Sequence, residues 1–209
     1  MTLTQSLLGF TLLAAVVAVT PGLDTVLVLR QALRSGRRSA FAAAAGICLG
    51  ALVWGMAAAA GVAALFVASQ VAYAALRWAG VAFLLYLAWS YLRAAFRGEA
   101  AHADLASGSV DGPREAFVKG MLTDLLNPKM AVFYLTVLPL FLPAGYAPVL
   151  AGAVLAGVHA LVAFCWFTVI ILSAHAVRGF LTSRRGARVI DGAAGAAMLG
   201  FGLVLGLER

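Results

Sequence analysis

The stretch Leu125-Leu126-Asn127-Pro128-Lys129 decides how this chain is read. It lies inside an apolar run that extends from about Phe117 to Leu142. Proline removes a backbone donor and clashes with the preceding turn, so a helix running through Pro128 must bend or unwind there. A lysine at membrane depth is costly, and such residues mark ion or substrate paths. The first apolar run carries a similar interruption, Thr20-Pro21-Gly22, followed by Asp24. Paired interruptions at matching places in two halves of a membrane chain point to a transporter site.

Composition agrees with a membrane setting. The 209 residues are 64% hydrophobic and 11% charged, with a mean hydropathy of +1.00. This balance excludes a soluble domain, and the long apolar runs read as transmembrane helices of roughly 20 residues each. The formal charge of +7 could suit a nucleic acid. The basic residues, however, sit in short clusters between apolar runs, as loops obeying the positive-inside rule do. No nucleic-acid partner is therefore expected. Cys48 and Cys165 fall inside apolar runs and read as small buried hydrophobes, with no disulfide or metal site. The N-terminal run is too long for a signal-peptide core and lacks a basic n-region, so it is expected to stay as the first span.

Six runs follow in order: about Leu3 to Leu29, Ser39 to Phe66, Val71 to Leu92, Phe117 to Leu142, Pro148 to Ala174, and Val189 to Leu207. The segment Gly98 to Glu115 is the clearly polar stretch and reads as a flexible linker. The loops after spans one, three and five hold twelve of the fifteen basic residues, and those after spans two and four hold none. The asymmetry places the odd loops in the cytoplasm and both termini outside.

Three spans on each side of the linker force the second half to run inverted relative to the first. The expected fold is an all-α polytopic membrane protein, with six transmembrane helices as two inverted three-helix repeats whose first helices are broken. The expected units are 1–97, a cytoplasmic linker 98–116, and 117–209. The landmarks align: Pro21 with Pro128, Gly46 and Gly50 with Gly152 and Gly157, and Gly80 with Gly195. At about 1.5 Å rise per residue, both breaks lie roughly 15 Å from the cytoplasmic edge, near the midplane.

Broken helices leave carbonyls and amides free at mid-membrane, where protein, water or substrate must satisfy them. A half-helix N-terminus attracts a carboxylate and unwound carbonyls attract a cation. An α-amino acid carries one group of each kind. The expected substrate-binding residues are Thr20, Pro21, Gly22, Asp24, Asn127, Pro128 and Lys129. Asp24 and Asp124 are the candidates for carrying a proton, since each can share a helical face with its proline. Lys129 is expected to hold a carboxylate or balance an aspartate. Asp24 and Asp124 could equally face water at the cytoplasmic end.

Other features carry less. Gly46-x-x-x-Gly50 reads as a close helix-packing motif. Tyr86 and Trp89 read as packing or interface residues, His159 as a hydrogen-bonded structural histidine, and Asp191 as a surface partner of the neighbouring arginines. There is no catalytic triad, zinc-ligand spacing or phosphate loop, so no enzyme, metal or cofactor is expected.

The chain resembles the LysE/RhtB amino-acid exporter family. The resemblance rests on Thr20-Pro21-Gly22-Leu23-Asp24-Thr25, on Gly36-Arg37-Arg38 with Ala45-Gly46-Ile47-Cys48-Leu49-Gly50, on Trp78-Ala79-Gly80-Val81-Ala82-Phe83-Leu84-Leu85-Tyr86-Leu87, and on Leu126-Asn127-Pro128-Lys129. It implies six helices in two inverted repeats and export of amino acids or close analogues driven by the proton gradient. Two departures stand out. Pro21-Gly22-Leu23 replaces the family's Pro-Gly-Pro, and Pro139-Leu140-Phe141 replaces its Pro-Gln-Phe.

The expectation is an inner-membrane, multi-pass exporter working by proton antiport and alternating access. Its partners would be an amino-acid substrate, protons, the lipid bilayer and, through Gly/Ala-rich faces, a second copy in a homodimer. The competing readings are a metal-cation or small-ion transporter and a non-transporting membrane scaffold.

Overall fold

A computed structural model describes residues 2–20, 22–97, 110–143 and 145–174, together with 176 and scattered positions from 183 to 203. Pro21, most of the linker and most of the sixth run, Asp191 included, lie outside the described residues. Among the described residues the chain is helical, with no strand.

The first run forms α1 (Leu3–Val19) and α2 (Leu23–Arg34), which meet at 55°. The break falls at Thr20-Pro21-Gly22, where the sequence places it. Thr2 and Gln5 cap the start of α1 reciprocally. α3 (Arg37–Ala68) and α4 (Gln70–Arg97) follow as long unbroken helices. α5 (Pro113–Leu125) begins with proline in its first turn, which needs no amide hydrogen there. Residues 113–116, expected as linker, are therefore helical, and Asp111 before them is buried.

α5 stops at Leu126-Asn127 and the chain restarts as α6 (Pro128–Val132). It continues as a π-helical turn over Phe133–Val137 and a 3₁₀ turn over Leu138–Phe141. Pro139 has no N–H to continue an α-helical ladder, which suits the change of winding there. α7 (Pro148–Leu172) is a single long helix.

Among the described residues, Arg37–Gly61 within α3 and α7 are each long and apolar enough to cross a bilayer, and the α1–α2 pair forms a third, bent span. Leu8, Leu12, Leu150, Leu161, Val169 and Leu172 are exposed on α1 and α7. Large apolar residues exposed in such numbers suit hydrocarbon rather than water. Cys165 also lies on that exposed surface, which corrects the expectation that it is buried.

α3 is the centre of the packing, and its most extensive contacts are with α5 and α7. Small residues make these seams possible. A Cβ added at Gly46 would lie 2.0 Å from the Phe117 carbonyl, and one at Gly120 would lie 2.1 Å from the Ala43 carbonyl. On the other side, a Cβ at Gly55 would meet Ala156 at 2.3 Å, and one at Gly152 would meet Ala59 at 2.3 Å. Without water to drive apolar association, such close approach is how membrane helices gain contact energy.

Two apolar clusters result. One gathers Phe10, Leu13, Val17, Phe133, Tyr134, Val137 and Phe141. The other gathers Val28, Leu29, Ile47, Phe167, Ile170 and Ile171. They adjoin at Val17 and Ala18, the last turn of α1, beside the first helix break.

Candidate functional site

The two breaks, distant in sequence, are brought together between these clusters. Asn127 is the residue that joins them. It sits at the N-cap of α6, where its Oδ1 accepts from the Lys129 amide at 3.0 Å. Its Nδ2 donates to Asp24 Oδ2, on the first turn of α2, at 3.1 Å. One amide side chain thus caps one half-helix and holds the acid of another.

Lys129 makes the second link. Its Nζ donates to the Val17 carbonyl at 3.2 Å and, over a longer 3.5 Å, to the Thr20 carbonyl. In an unbroken helix the Val17 carbonyl would accept from the amide of residue 21, but residue 21 is a proline and has no hydrogen to give. Lys129 fills that gap. Thr20 ends α1 in extended backbone, and its hydroxyl donates to the Val16 carbonyl at 2.6 Å. Gly22 opens α2, and a Cβ there would lie 3.5 Å from Lys129 Nζ, an ordinary contact.

Asp124 enters from α5 and is fully buried, which removes the alternative of a water-facing vestibule residue. Its neighbour is Gly50, where a Cβ would lie 2.7 Å from Asp124 Oδ2. The second glycine of the Gly46-x-x-x-Gly50 pair therefore makes room for a carboxylate, while the first lets the backbones touch. Neither oxygen of Asp124, nor Oδ1 of Asp24, has a hydrogen-bond partner among the described residues. Burying such groups without donors costs several kcal/mol on the order of a lost charged hydrogen bond each. This makes the two acids the least satisfied polar groups around the breaks.

Thr20, Gly22, Asp24, Asp124 and Lys129 line one cavity, with Thr25, Cys48, Met130, His159 and Phe167. Asn127 stands behind it, holding Asp24. Pro21 lies outside the described residues, and Pro128 contributes through the backbone as the first residue of α6. The cavity measures about 20 Å³, room for about one water molecule. A free amino acid does not fit without movement of the walls. A larger cavity of about 200 Å³ near Leu3, Tyr146 and Leu150 has no charged residue in its lining.

Two lining residues add to the sequence reading. His159, expected as a structural histidine, is hydrogen-bonded through Nδ1 to the Tyr134 hydroxyl at 2.9 Å, with both side chains buried. It is also packed edge-on against Phe133, with centroids 5.4 Å apart, and it borders the cavity. Cys48 donates from Sγ to the Ala160 carbonyl at 3.3 Å and lines the cavity, so it is more than a small filler. Tyr86 and Trp89 are exposed on α4 and stand outside the lining, as interface residues do.

A second polar knot lies beyond the end of α2. Asp111 Oδ1 accepts from Lys119 Nζ at 2.6 Å, and Asp111 Oδ2 accepts from Gln31 Nε2 at 2.5 Å. The Asp111 amide donates to Ser35 Oγ at 3.0 Å, and its carbonyl accepts from Ser39 Oγ at 2.8 Å. One linker residue therefore ties α2, the start of α3 and α5 together.

Several known proteins have similar sequences. An uncharacterized membrane protein of Pseudomonas aeruginosa is 34% identical over 197 residues, covering 90% of this chain and 89% of its own. The threonine efflux protein of Escherichia coli is 29% identical over 201 residues, covering 93% and 94%. The leucine efflux protein of Klebsiella pneumoniae is 29% identical over 174 residues, covering 82% and 80%. No solved structure matches. The pattern that defines LysE type translocators matches residues 15–209. With the broken helices and the resemblance carried by Thr20-Pro21-Gly22 and Asn127-Pro128-Lys129, that match over nearly the whole chain makes this protein a member of the LysE type translocator family.

Proposed function

We propose that the protein exports amino acids from the cytoplasm, as a multi-pass inner-membrane carrier working by proton antiport and alternating access. The observation that carries this reading is the meeting of the two breaks at one cavity. A lysine holding main-chain carbonyls lies there beside two carboxylates, three of whose oxygens have no hydrogen-bond partner among the described residues. A zwitterion needs that mixture: carboxylates and carbonyls for its ammonium, and a lysine or half-helix amides for its carboxylate. The relatives named as threonine and leucine efflux proteins favour neutral amino acids as the first class to test.

In this reading Asp24 carries the coupling proton and Asp124 is the second candidate. Both are carboxylates with free oxygens beside the cavity, and either can pick up a proton or meet an ammonium group as the walls rearrange. Six spans in two inverted repeats, 1–97 and 117–209 joined by a cytoplasmic linker, with both termini outside, complete the proposal. The loop charges and the matched breaks support it. A homodimer through Gly/Ala-rich faces belongs to the same proposal.

The test is efflux from proteoliposomes loaded with a mixture of amino acids under an imposed proton gradient. One class should leave, and Lys129→Ala should abolish its release while the protein still reconstitutes. Retention of every amino acid by well-folded protein would overturn the exporter reading in favour of an ion carrier or a scaffold.

A further inference from the structure

Lys129 has two carboxylates around the same cavity, Asp124 fully buried and Asp24 half-buried, yet it forms an ion pair with neither. Its ammonium is given to the carbonyls of Val17 and Thr20. Those carbonyls close the C-terminal end of α1, where the helix dipole is negative and hydrogen-bonding capacity is unspent. A primary ammonium has three donors and a full charge, and two donors are used here. The ammonium of an amino acid has the same three donors and the same charge.

We propose that the carbonyl cradle at the end of α1 is an ammonium-binding subsite, and that the chain's own Lys129 fills it when no substrate is present. Lys129 is then a tethered stand-in for the substrate's amine. Three observations meet in this assignment. The Val17 carbonyl is orphaned by Pro21, so the cradle exists whether or not a lysine fills it. The lysine reaches it from the opposite break, more than one hundred residues away. With the lysine in place the cavity measures about 20 Å³, too small for an amino acid. An incoming ammonium would take the cradle, and the released lysine would be free to turn to the substrate carboxylate. Plugging the empty site and clamping the loaded one would be two positions of one side chain. The part played by substrate rests on the exporter reading, whereas the cradle itself does not.

The experiment needs no transport. Purified full-length protein in lipid nanodiscs is titrated with ethylammonium chloride, a primary ammonium with no carboxylate. Tetramethylammonium chloride, equally charged but without N–H donors, is the control at matched concentration. Thermal unfolding is followed for wild type and for Lys129→Ala. Lys129→Ala should gain a saturable rise in Tm of about 3–6 °C at roughly ten times the Kd for ethylammonium. Tetramethylammonium should give none, and wild type should respond to neither ion. If Lys129→Ala is monodisperse only when ethylammonium is present throughout purification, that rescue counts for the proposal. Aggregation with and without ethylammonium counts against it. Equal responses of wild type and Lys129→Ala, or none in either, would show that Lys129 does not occupy an ammonium site. Amino-acid efflux by wild type would still stand or fall separately.

Discussion

At the scale of single residues, the site is a set of side chains that each answer a defect made elsewhere. Pro21 leaves the Val17 carbonyl without its helical donor, and Lys129 supplies one. The restart at Pro128 needs a cap, and Asn127 supplies it while reaching across to Asp24. This bridge offers a clean way to ask what the charge of Asp24 does. Asparagine at position 24 keeps an oxygen that can accept from Asn127 and loses only the ionisable group. Asp24→Asn should therefore leave thermal stability within about 1 kcal/mol of wild type. Efflux should persist down a substrate gradient but stop responding to an imposed proton gradient. Efflux in reconstituted vesicles, with and without the pH difference, measures both, and an unchanged response would transfer the coupling role to Asp124. Much of this was legible in the chain, because a proline and a lysine in an apolar run are costly enough to demand an explanation. The pairing was not. Nothing local to Asn127 announces Asp24 as its partner 103 positions away. Tyr134 was missed for a related reason: a tyrosine in an apolar run looks like an interface aromatic until His159 is found at its hydroxyl.

At the scale of elements, glycine sets how near the helices stand and so how near the two acids stand. The α3–α5 seam is reciprocal, Gly46 against the Phe117 carbonyl and Gly120 against the Ala43 carbonyl. Main chain cannot move aside as a flexible side chain can. Gly46→Ala should accordingly push α5 away from α3 and cost about 1–3 kcal/mol, the ordinary penalty of overpacking. Gly61→Ala, on the same helix, meets nothing within 4 Å among the described residues and should be neutral or slightly stabilising. Paired thermal melts of the two variants test the seam against a general glycine effect, and equal melting points would show that the contact is not tight. Periodicity in the sequence announced the Gly46/Gly50 motif but could not divide its labour. Only the packed helices show that Gly46 serves the backbone contact and Gly50 makes room for Asp124. The bounds of runs two and five agree closely with α3 and α7, whereas α2 and α4 continue through the arginines past Leu29 and Leu92 to Arg34 and Arg97. The winding of Phe133–Phe141 was not foreseen, since π-helical and 3₁₀ turns share one apolar composition with the α-helix.

At the scale of the whole molecule, the cavity lies between two apolar clusters, and the second cluster adjoins the Asp111 knot. If the loop charges set the topology as proposed, this knot is at the cytoplasmic mouth and substrate must pass it to enter. The knot joins α2 and α3 to α5, so any movement of α5 away from those two helices has to break it. Its ion pair is half exposed on the lysine side and therefore weakened by solvent, while the Gln31 contact is buried. Losing the Asp111 carboxylate should shift the balance between closed and open mouths by about 1–3 kcal/mol. Each 1.4 kcal/mol is tenfold in an equilibrium, so the open fraction should rise about 5- to 150-fold. Cys48 lines the cavity and reports on that opening. In Cys165→Ser protein, a small maleimide presented from the cytoplasmic side should label Cys48 faster in Asp111→Ala by that factor, and no faster from the opposite side. A rise from both sides would mean general loosening of the fold. Unchanged rates would show that the two clusters alone keep the mouth closed and that the buried aspartate only anchors the end of the linker.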